Sequence, residues 1–285
     1  MIVVTGATGH LGRHVIDGLL EKVPADRVAA VVRDKEKAAD LAARGVELRI
    51  GDYSRPETLA NAFGAGDRLL LISGSEVGSR VAQHTAVIDA ARAAGVALLA
   101  YTGVLGGPDA DFELAAEHKV TEQLILDSGL PYVFLRNGWY HENYTENLAP
   151  VLEHGTVVSS AGDGRVASAS RADYAAAAVT VLTGDGFENQ VFELSGDVAW
   201  SFGEYAAEIG RQTGREIGYA DVPAADSLAM LTGAGIPEPM AAILVDVDRA
   251  IARGLLAGTS GDLARLIGRP TTPLAEAVAE ALKSE

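Results

Sequence analysis

The sequence predicts an α/β protein: a doubly wound parallel sheet followed by a smaller, helix-rich C-terminal part. Three observations carry this. Residues 1–136 alternate short β-branched runs with longer helical patterns, as parallel strands joined by crossover helices do. The runs are nearly continuous in hydrophobicity, which suits strands covered by helices on both faces. The glycine-rich segment Thr5-Gly6-Ala7-Thr8-Gly9-His10-Leu11-Gly12 separates the first run from the first helical pattern. Together these describe a Rossmann-type arrangement.

In chain order, strands are expected at Ile2–Val4, Arg27–Val32, Glu47–Ile50, Leu69–Ile72, Ala97–Thr102 and Tyr132–Leu135. Gly45, Gly95 and Gly129 follow the intervening helices, each suited to a left-handed C-terminal cap. After Arg136 the clean alternation ends. A Gly-rich stretch from Gly155 to Gly164, an alanine-rich helix Ala172–Leu182 and a strand-like Val191–Leu194 follow. Ser201 and Glu204 form a capping box for a helix through about Gln212, and Thr272 with Pro273 should start the last helix as N-cap and first residue. The expected division is a dinucleotide-binding domain over 1–136, to which later segments can return, and a substrate-binding part over 137–285.

At 285 residues, 48% hydrophobic and 22% charged, the chain can fill a substantial core. Its longest apolar runs, such as Leu69–Ile72 and Ala97–Ala100, are far too short to cross a bilayer, and residue 1 opens directly into a strand rather than a signal peptide. A cytoplasmic protein with no membrane partner is expected. Zero cysteines exclude disulfides, thiolate zinc sites and cysteine nucleophiles. The sequon Asn143-Tyr144-Thr145 reads as chance without a secretion signal. A formal charge of −16 repels polyanions over most of the surface, which disfavours nucleic acid except at a local basic pocket.

In the glycine-rich loop, Gly6 permits the tight turn, Gly9 lets the backbone approach a pyrophosphate, and Gly12 allows helix and strand to pack closely. Thr8, His10 and Leu11 share the loop, and the pyrophosphate would sit on the helix N-terminus. The second strand ends in Val31-Val32-Arg33-Asp34, where an adenosine ribose is read. Arg33 can form charge-assisted bonds to a 2′-phosphate, which favours NADPH over NADH. The competing reading makes Arg33 a solvated strand-end charge and Asp34 the ribose ligand. Gly51-Asp52-Tyr53 is placed to border the adenine, with Asp52 as an acceptor, or is an ordinary turn.

The reacting end should lie beyond the later strands, at Ser73-Gly74-Ser75, Thr102-Gly103 and Asn137-Gly138-Trp139-Tyr140. The glycines let a flat ring approach the backbone, and Trp139 and Tyr140 could wall a planar acceptor, or simply pack between domains. None of the 8 tyrosines has a lysine four residues on, the pair that commonly protonates the substrate in reductases of this sheet type. The helix expected at Phe112–Asp127 offers His118 instead, with Lys119 one step off register. His118 could donate a proton or bond the nicotinamide ribose, or be a structural histidine. Hydride addition to an isolated ketone makes a basic alkoxide that needs a positioned acid, whereas addition to a quinone makes a delocalised phenolate that water can protonate. The missing pair therefore points to quinones or conjugated dyes. No Gly-x-Ser-x-Gly, His-Glu-x-x-His or Gly-x-x-x-x-Gly-Lys-Ser/Thr motif occurs, so hydrolase, metal and ATP chemistries have no support.

These residues resemble the NmrA-like family of atypical short-chain dehydrogenases, in particular its quinone- and dye-reducing members. The resemblance rests on Val4–Gly9, Ala30–Arg33, Leu71–Gly78, Leu135–Tyr140 and Ser170–Tyr174, with a similar tail at Leu266–Gly268 and Thr272–Leu274. It implies NADPH as hydride donor, no flavin, and a small planar acceptor as the partner. By position, Gly6 to Leu11 and Arg33 would hold the cofactor phosphates, and Ser73, Gly74 and Ser75 would border the nicotinamide side. Asn137 to Glu142 would line the ring and substrate, with Glu76, Trp139, Tyr140, Glu142 and Asn143 toward the acceptor. His118 and Tyr140 are the catalytic candidates. Lys119 departs from the relatives' pattern and leaves open whether it or His118 faces the cofactor.

Two alternatives stand beside this. The chain could be a redox sensor that binds the dinucleotide and regulates a partner without turnover, or a carbonyl or imine reductase using His118 as acid. The sequence leaves the physiological acceptor open, and the oligomeric state open between a monomer and a homodimer.

Overall fold

Parallel strand pairing organises the molecule, whose computed structural model describes residues 1–146 and 148–283. The first half runs β1 (Ile2–Val4), α1 (His10–Lys22), β2 (Val28–Val32), α2 (Ala39–Ala43), β3 (Glu47–Ile50), β4 (Arg68–Leu71), α3 (Arg80–Ala94), β5 (Leu98–Val104), α4 (Ala115–Ser128) and β6 (Tyr132–Asn137). Then come α5 (Glu142–Thr145), α6 (Ala149–His154), β7 (Thr156–Ser159), β8 (Arg165–Val166), α7 (Arg171–Thr183), β9 (Gln190–Leu194), β10 (Trp200–Ser201), α8 (Phe202–Thr213) and β11 (Gly218–Asp221). The chain ends with α9 (Ala224–Gly233), α10 (Glu238–Ala252), α11 (Asp262–Ile267) and α12 (Leu274–Ala281).

Seven strands form one sheet in the order β3-β2-β1-β4-β5-β6-β9. Every pair in it is parallel. Side chains alternate between the faces, as the pleat requires. Val4, Ala30, Leu70, Ala100 and Leu135 pack on one side with Val15 and Ile16 of α1 and Ala178 of α7. Val3, Val31, Leu69, Leu71, Tyr101 and Phe134 pack on the other with Val87, Ile88 and Ile125 of α3 and α4. Residues beyond 136 thus rejoin the sheet: α7 lies along α1, and a Cβ on Gly18 would stand only 3.0 Å from Val179, so that glycine sets the close approach. A separate core of Phe202, Tyr205, Ile209, Val247 and Ile251 holds the C-terminal part, joined by Val104, Leu105 and Phe112 from the first half. No helix among the described residues is long and apolar enough to cross a membrane.

Boundaries depart from expectation where local hydrogen bonds compete. Strand β2 begins one residue late because Ala25–Arg27 makes a 3₁₀ turn after Pro24. Strand β4 sits one residue early, since the Ile72 amide leaves the ladder for Thr5 Oγ1 at 3.1 Å. Strand β5 begins one residue late, at Leu98, and both β5 and β6 run two residues further than expected at their ends, as Gly103 and Val104 stay paired with Arg136 and Asn137. The last helix starts later than expected. Pro273, with ψ 151°, is its N-cap and Leu274 its first residue. Thr272 is drawn away, its amide donating to Asp173 Oδ2 at 2.7 Å and its carbonyl accepting from His141 Nε2 at 2.9 Å. The capping box at Ser201 and Glu204 is formed, and Gly45, Gly95 and Gly129 have φ of 86°, 71° and 71°.

Candidate dinucleotide and acceptor site

The site begins where β1 stops. Gly6 turns the chain at φ 60°, its carbonyl takes the Gly9 amide at 3.0 Å, and α1 starts at His10. A Cβ on Gly12 would stand 2.2 Å from the Gly6 oxygen and 2.8 Å from Ala7 Cα, so only glycine lets the helix sit this close to the loop. The amides of His10, Leu11 and Gly12 have no acceptor among the described residues. No side chain caps this terminus. A helix end with open N–H groups and a positive dipole end is an anion site. Leu11 offers only its amide, because its side chain is buried in the sheet core; Thr8 and His10 are exposed at the rim.

A groove of about 480 Å³ runs from this loop across the ends of β2, β3 and β4. Gly6, Thr8, Gly9, His10, Arg33, Asp52, Tyr53, Ser73, Gly74, Ser75 and Glu76 all line it. Arg33 is exposed and makes no hydrogen bond or ion pair among the described residues. The neighbouring carboxylates are occupied: Asp34 Oδ1 accepts the Glu36 amide at 2.8 Å, Asp52 Oδ1 the Ser54 amide at 3.0 Å, and Asp52 Oδ2 the Arg55 guanidinium at 3.2 Å. The Tyr53 hydroxyl lies between Thr5 Oγ1 and the Ile72 carbonyl, 3.0 Å from the latter, and so braces β1 against β4. Burial pushes its phenol upward.

Beyond β4, the Ser73 amide donates to Thr102 Oγ1 at 2.9 Å, so Thr102, on the buried strand β5, supports the loop with its hydroxyl. The Gly74 amide donates to His84 Nε2 at 3.0 Å, and Arg80 Nε donates to the Gly74 carbonyl at 2.5 Å. Gln83 Nε2 links Glu76 Oε2 at 2.9 Å to Ser54 Oγ at 3.0 Å across the groove.

The Asn137–Asn143 group lies outside the groove lining, at the end of β6 and two strands over from β4, roughly 10 Å away at ordinary strand spacing. Asn137 is buried; its Nδ2 reaches Tyr140 Oη at 3.5 Å and its Oδ1 has no partner. Gly138 is required by packing: a Cβ there would meet the Leu194 carbonyl at 3.0 Å and Tyr174 Oη at 3.1 Å. The Trp139 ring packs against the C-terminal core, half-buried. Tyr140 meets Tyr174 edge to face at 5.3 Å, and the Arg171 guanidinium lies 5.2 Å from its ring centre. Burial raises the Tyr140 phenol above its ordinary value. Glu142 Oε1 accepts the Arg171 amide at 2.8 Å at the start of α7, while its Oε2 is buried without a partner. Asn143 is exposed, its Oδ1 3.5 Å from Arg171.

His118 is on the inward face of α4, with Nδ1 2.7 Å from Tyr101 Oη. Burial lowers its imidazole to about 3, so it is neutral near pH 7. Lys119 faces elsewhere, into a surface cleft lined by Asp246 and Arg249 of α10. Sequence reasoning missed Arg80, Gln83 and His84, which sit one helical turn apart or less on α3, and Arg171, which rests on Tyr140. The signal available was the i, i+4 spacing of Arg80 and His84.

A parallel sheet in this order, a glycine turn after its first strand and an open helix terminus above the groove together define a Rossmann-type dinucleotide-binding protein. The NAD(P)H-binding family matches residues 6–185, and the chain belongs to that family. It is 47% identical over 278 residues to quinone oxidoreductase 2 of Escherichia coli, covering 98% of this chain and 97% of the relative. In structure it is similar to an NADPH-dependent quinone oxidoreductase from Escherichia coli complexed with NADPH, with a TM-score of 0.96 at 46% identity, covering 99% of this chain and 100% of that one. It is also similar to the Citrobacter sp. triphenylmethane reductase complexed with NADP(H), with a TM-score of 0.95 at 42% identity over 99% and 100% of the two chains. The resemblance drawn from the motifs to quinone- and dye-reducing proteins holds.

Proposed function

We propose that the chain is an NADPH-dependent reductase that transfers a hydride to a quinone or similar planar conjugated acceptor without a flavin. The observation that carries this is the groove itself, whose unpaired donors match the ligand. Arg33 is free for a 2′-phosphate, and the amides of His10 to Gly12 are free for a pyrophosphate. The buried, unpartnered Asn137 Oδ1 suits an amide N–H donor at the other end. The similarity to quinone- and dye-reducing proteins supports the same acceptor class.

Bound NADPH supplies the hydride. The residues of the chain bind, orient and shield. Ser73 to Glu76 form one wall and Asn137 with Tyr140 the far end. Tyr140, kept protonated by burial, can hydrogen-bond a carbonyl oxygen of the acceptor. His118, neutral and bonded to Tyr101, serves poorly as an acid at pH 7. Water then protonates the delocalised phenolate, which suits a quinone better than an isolated ketone. A cytoplasmic location accompanies this reading, because a reductase of this kind draws on the reduced cofactor pool. Sedimentation distinguishes a monomer from a homodimer.

The test is loss of NADPH absorbance with a panel of quinones, conjugated dyes and isolated ketones, repeated with NADH. Rapid oxidation with quinones or dyes and a preference for NADPH are expected. Tight NADPH binding with no turnover on any acceptor would overturn the reductase and favour a sensor.

A further inference from the structure

One helix holds both backbone polar groups of Gly74. Arg80 is the first residue of α3 and His84 the fifth, so they share a face. Arg80 Nε donates to the Gly74 carbonyl at 2.5 Å, and the Gly74 amide donates to His84 Nε2 at 3.0 Å. The tautomer is settled by the other ring nitrogen. His84 Nδ1 lies 2.9 Å from Thr121 Oγ1, which already donates to the Glu117 carbonyl at 2.8 Å, so Nδ1 carries the proton and Nε2 is free to accept. A Cβ on Gly74 would stand 2.8 Å from Gln83 Oε1, so the loop lies directly on this helix.

Arg80 is an expensive residue in this position. It is only 7% exposed, makes no ion pair among the described residues, and has Nη1 sealed without a partner. It also sits at a helix N-terminus, where the dipole disfavours a cation. Burying a charge without an ion pair costs stability, so this side chain is not explained by a contribution to folding. The one side-chain hydrogen bond that it makes among the described residues goes to the loop that walls the groove.

We propose that Arg80 and His84 are positioning residues that clamp the Ser73–Glu76 loop in its binding conformation before the cofactor arrives. The proposal rests on the reading of the groove as an NADPH site. A preformed wall spares the ligand the entropy of ordering it. Arg80 and His84 act through Gly74 and do not touch the cofactor.

The experiment compares Arg80→Met, Arg80→Lys and His84→Phe with wild type. In cofactor-free protein, amide exchange over residues 73–78 should quicken about tenfold in Arg80→Met and His84→Phe, with the rest of the sheet unchanged. NADPH affinity should fall about tenfold, the effect of losing a hydrogen bond to a charged group. KM for NADPH should rise with kcat nearly unchanged, as expected for loss of binding common to ground and transition states. Arg80→Lys should restore part of the affinity, and the Arg80→Met melting temperature should not fall. Unaltered exchange and affinity in Arg80→Met would overturn the clamp, as would parallel loss of melting temperature, kcat and affinity. Should Arg80→Met fail to fold, Arg80→Lys carries the same comparison on a smaller scale. A wild type that binds NADPH but reduces nothing sinks the reductase while exchange and affinity still decide the clamp. A wild type that does not bind NADPH sinks the cofactor reading, and exchange alone then judges the loop.

Discussion

Replacing Arg33 with alanine isolates the choice between NADPH and NADH. The side chain is exposed, unpaired and at the rim of the groove, so its removal should leave stability within about 0.5 kcal/mol. Two unit charges about 4 Å apart in water attract by about 1 kcal/mol, and a 2′-phosphate carries nearly two, so the guanidinium is worth about 2 kcal/mol to NADPH. That converts to a loss of roughly 30-fold in NADPH affinity. NADH, with a neutral 2′-hydroxyl, should lose little. Asp34 Oδ1 holds the Glu36 amide, which leaves Oδ2 as the oxygen that a ribose hydroxyl would meet if Asp34 were the reader instead. Fluorescence titration of both cofactors at low salt measures the two constants. Raising the salt toward 0.5 M should shrink the difference, because the pair is screened. An equal loss for both cofactors, or no loss for either, would refute Arg33 as the phosphate reader.

Gly12→Ala drives a methyl into the Gly6 carbonyl at 2.2 Å, and since that neighbour is backbone the phosphate loop must move. About 2 kcal/mol of stability should go, with more than tenfold in NADPH affinity; a wild-type melting curve and titration would contradict the packing role. Stability should also fall on mild acidification. Burial lowers His84 to about 4 and His118 to about 3, so the unfolded chain takes up their protons first. Their contribution is complete above about pH 6.5 and is lost as pH drops toward 4, at up to roughly 3 kcal/mol per pH unit for the pair. Urea unfolding at pH 7.5, 6.0 and 5.0 reads this slope, and His118→Gln should remove about half of it. The carboxylates held low, such as Glu208 at about 2, add their acid loss from about pH 5 downward, so the slope between pH 7.5 and 5.0 reads the histidines. Finally, His118→Ala should change quinone turnover by less than about tenfold, whereas a ketone reductase relying on it as acid would lose a hundredfold or more.

The sheet was legible because its signals are local. Continuous β-branched runs, the glycines Gly45, Gly95 and Gly129 that follow three of the helices, and the loop at Gly6 to Gly12 each follow from backbone physics within a few residues. What escaped depended on contacts between distant segments. Nothing in the local pattern says that α7 would lie along α1, or that β9 would join the sheet beside β6. The same holds within the site. Gly138 looked like room for a flat ring, yet the space is filled by Leu194 and Tyr174 from elements more than thirty residues away. Leu11 belongs to the phosphate loop by position, but its side chain serves the core and its amide alone faces out. Arg80 and His84 were missed because a charged residue at the start of a helix ordinarily reads as solvated surface.

The pattern of satisfied and unsatisfied groups carries more than the inventory of residues does. Along the groove, Asp34, Asp52, Glu76, Tyr53 and Thr102 are all engaged by neighbouring parts of the chain, which fixes the walls. Among the groups left over, three sets are of the kind a dinucleotide would meet: the Arg33 guanidinium, the amides of His10 to Gly12, and the Asn137 side-chain Oδ1. Native proteins rarely leave buried polar atoms unpaired, and an open helix terminus calls for an anion. The leftover groups run from a cation, through an anion cradle, to a lone acceptor beyond β6. That order complements a 2′-phosphate, a pyrophosphate and a carboxamide. In a chain of net charge −16, such a cationic end exists only where it has been placed locally, and the surrounding field keeps other polyanions away.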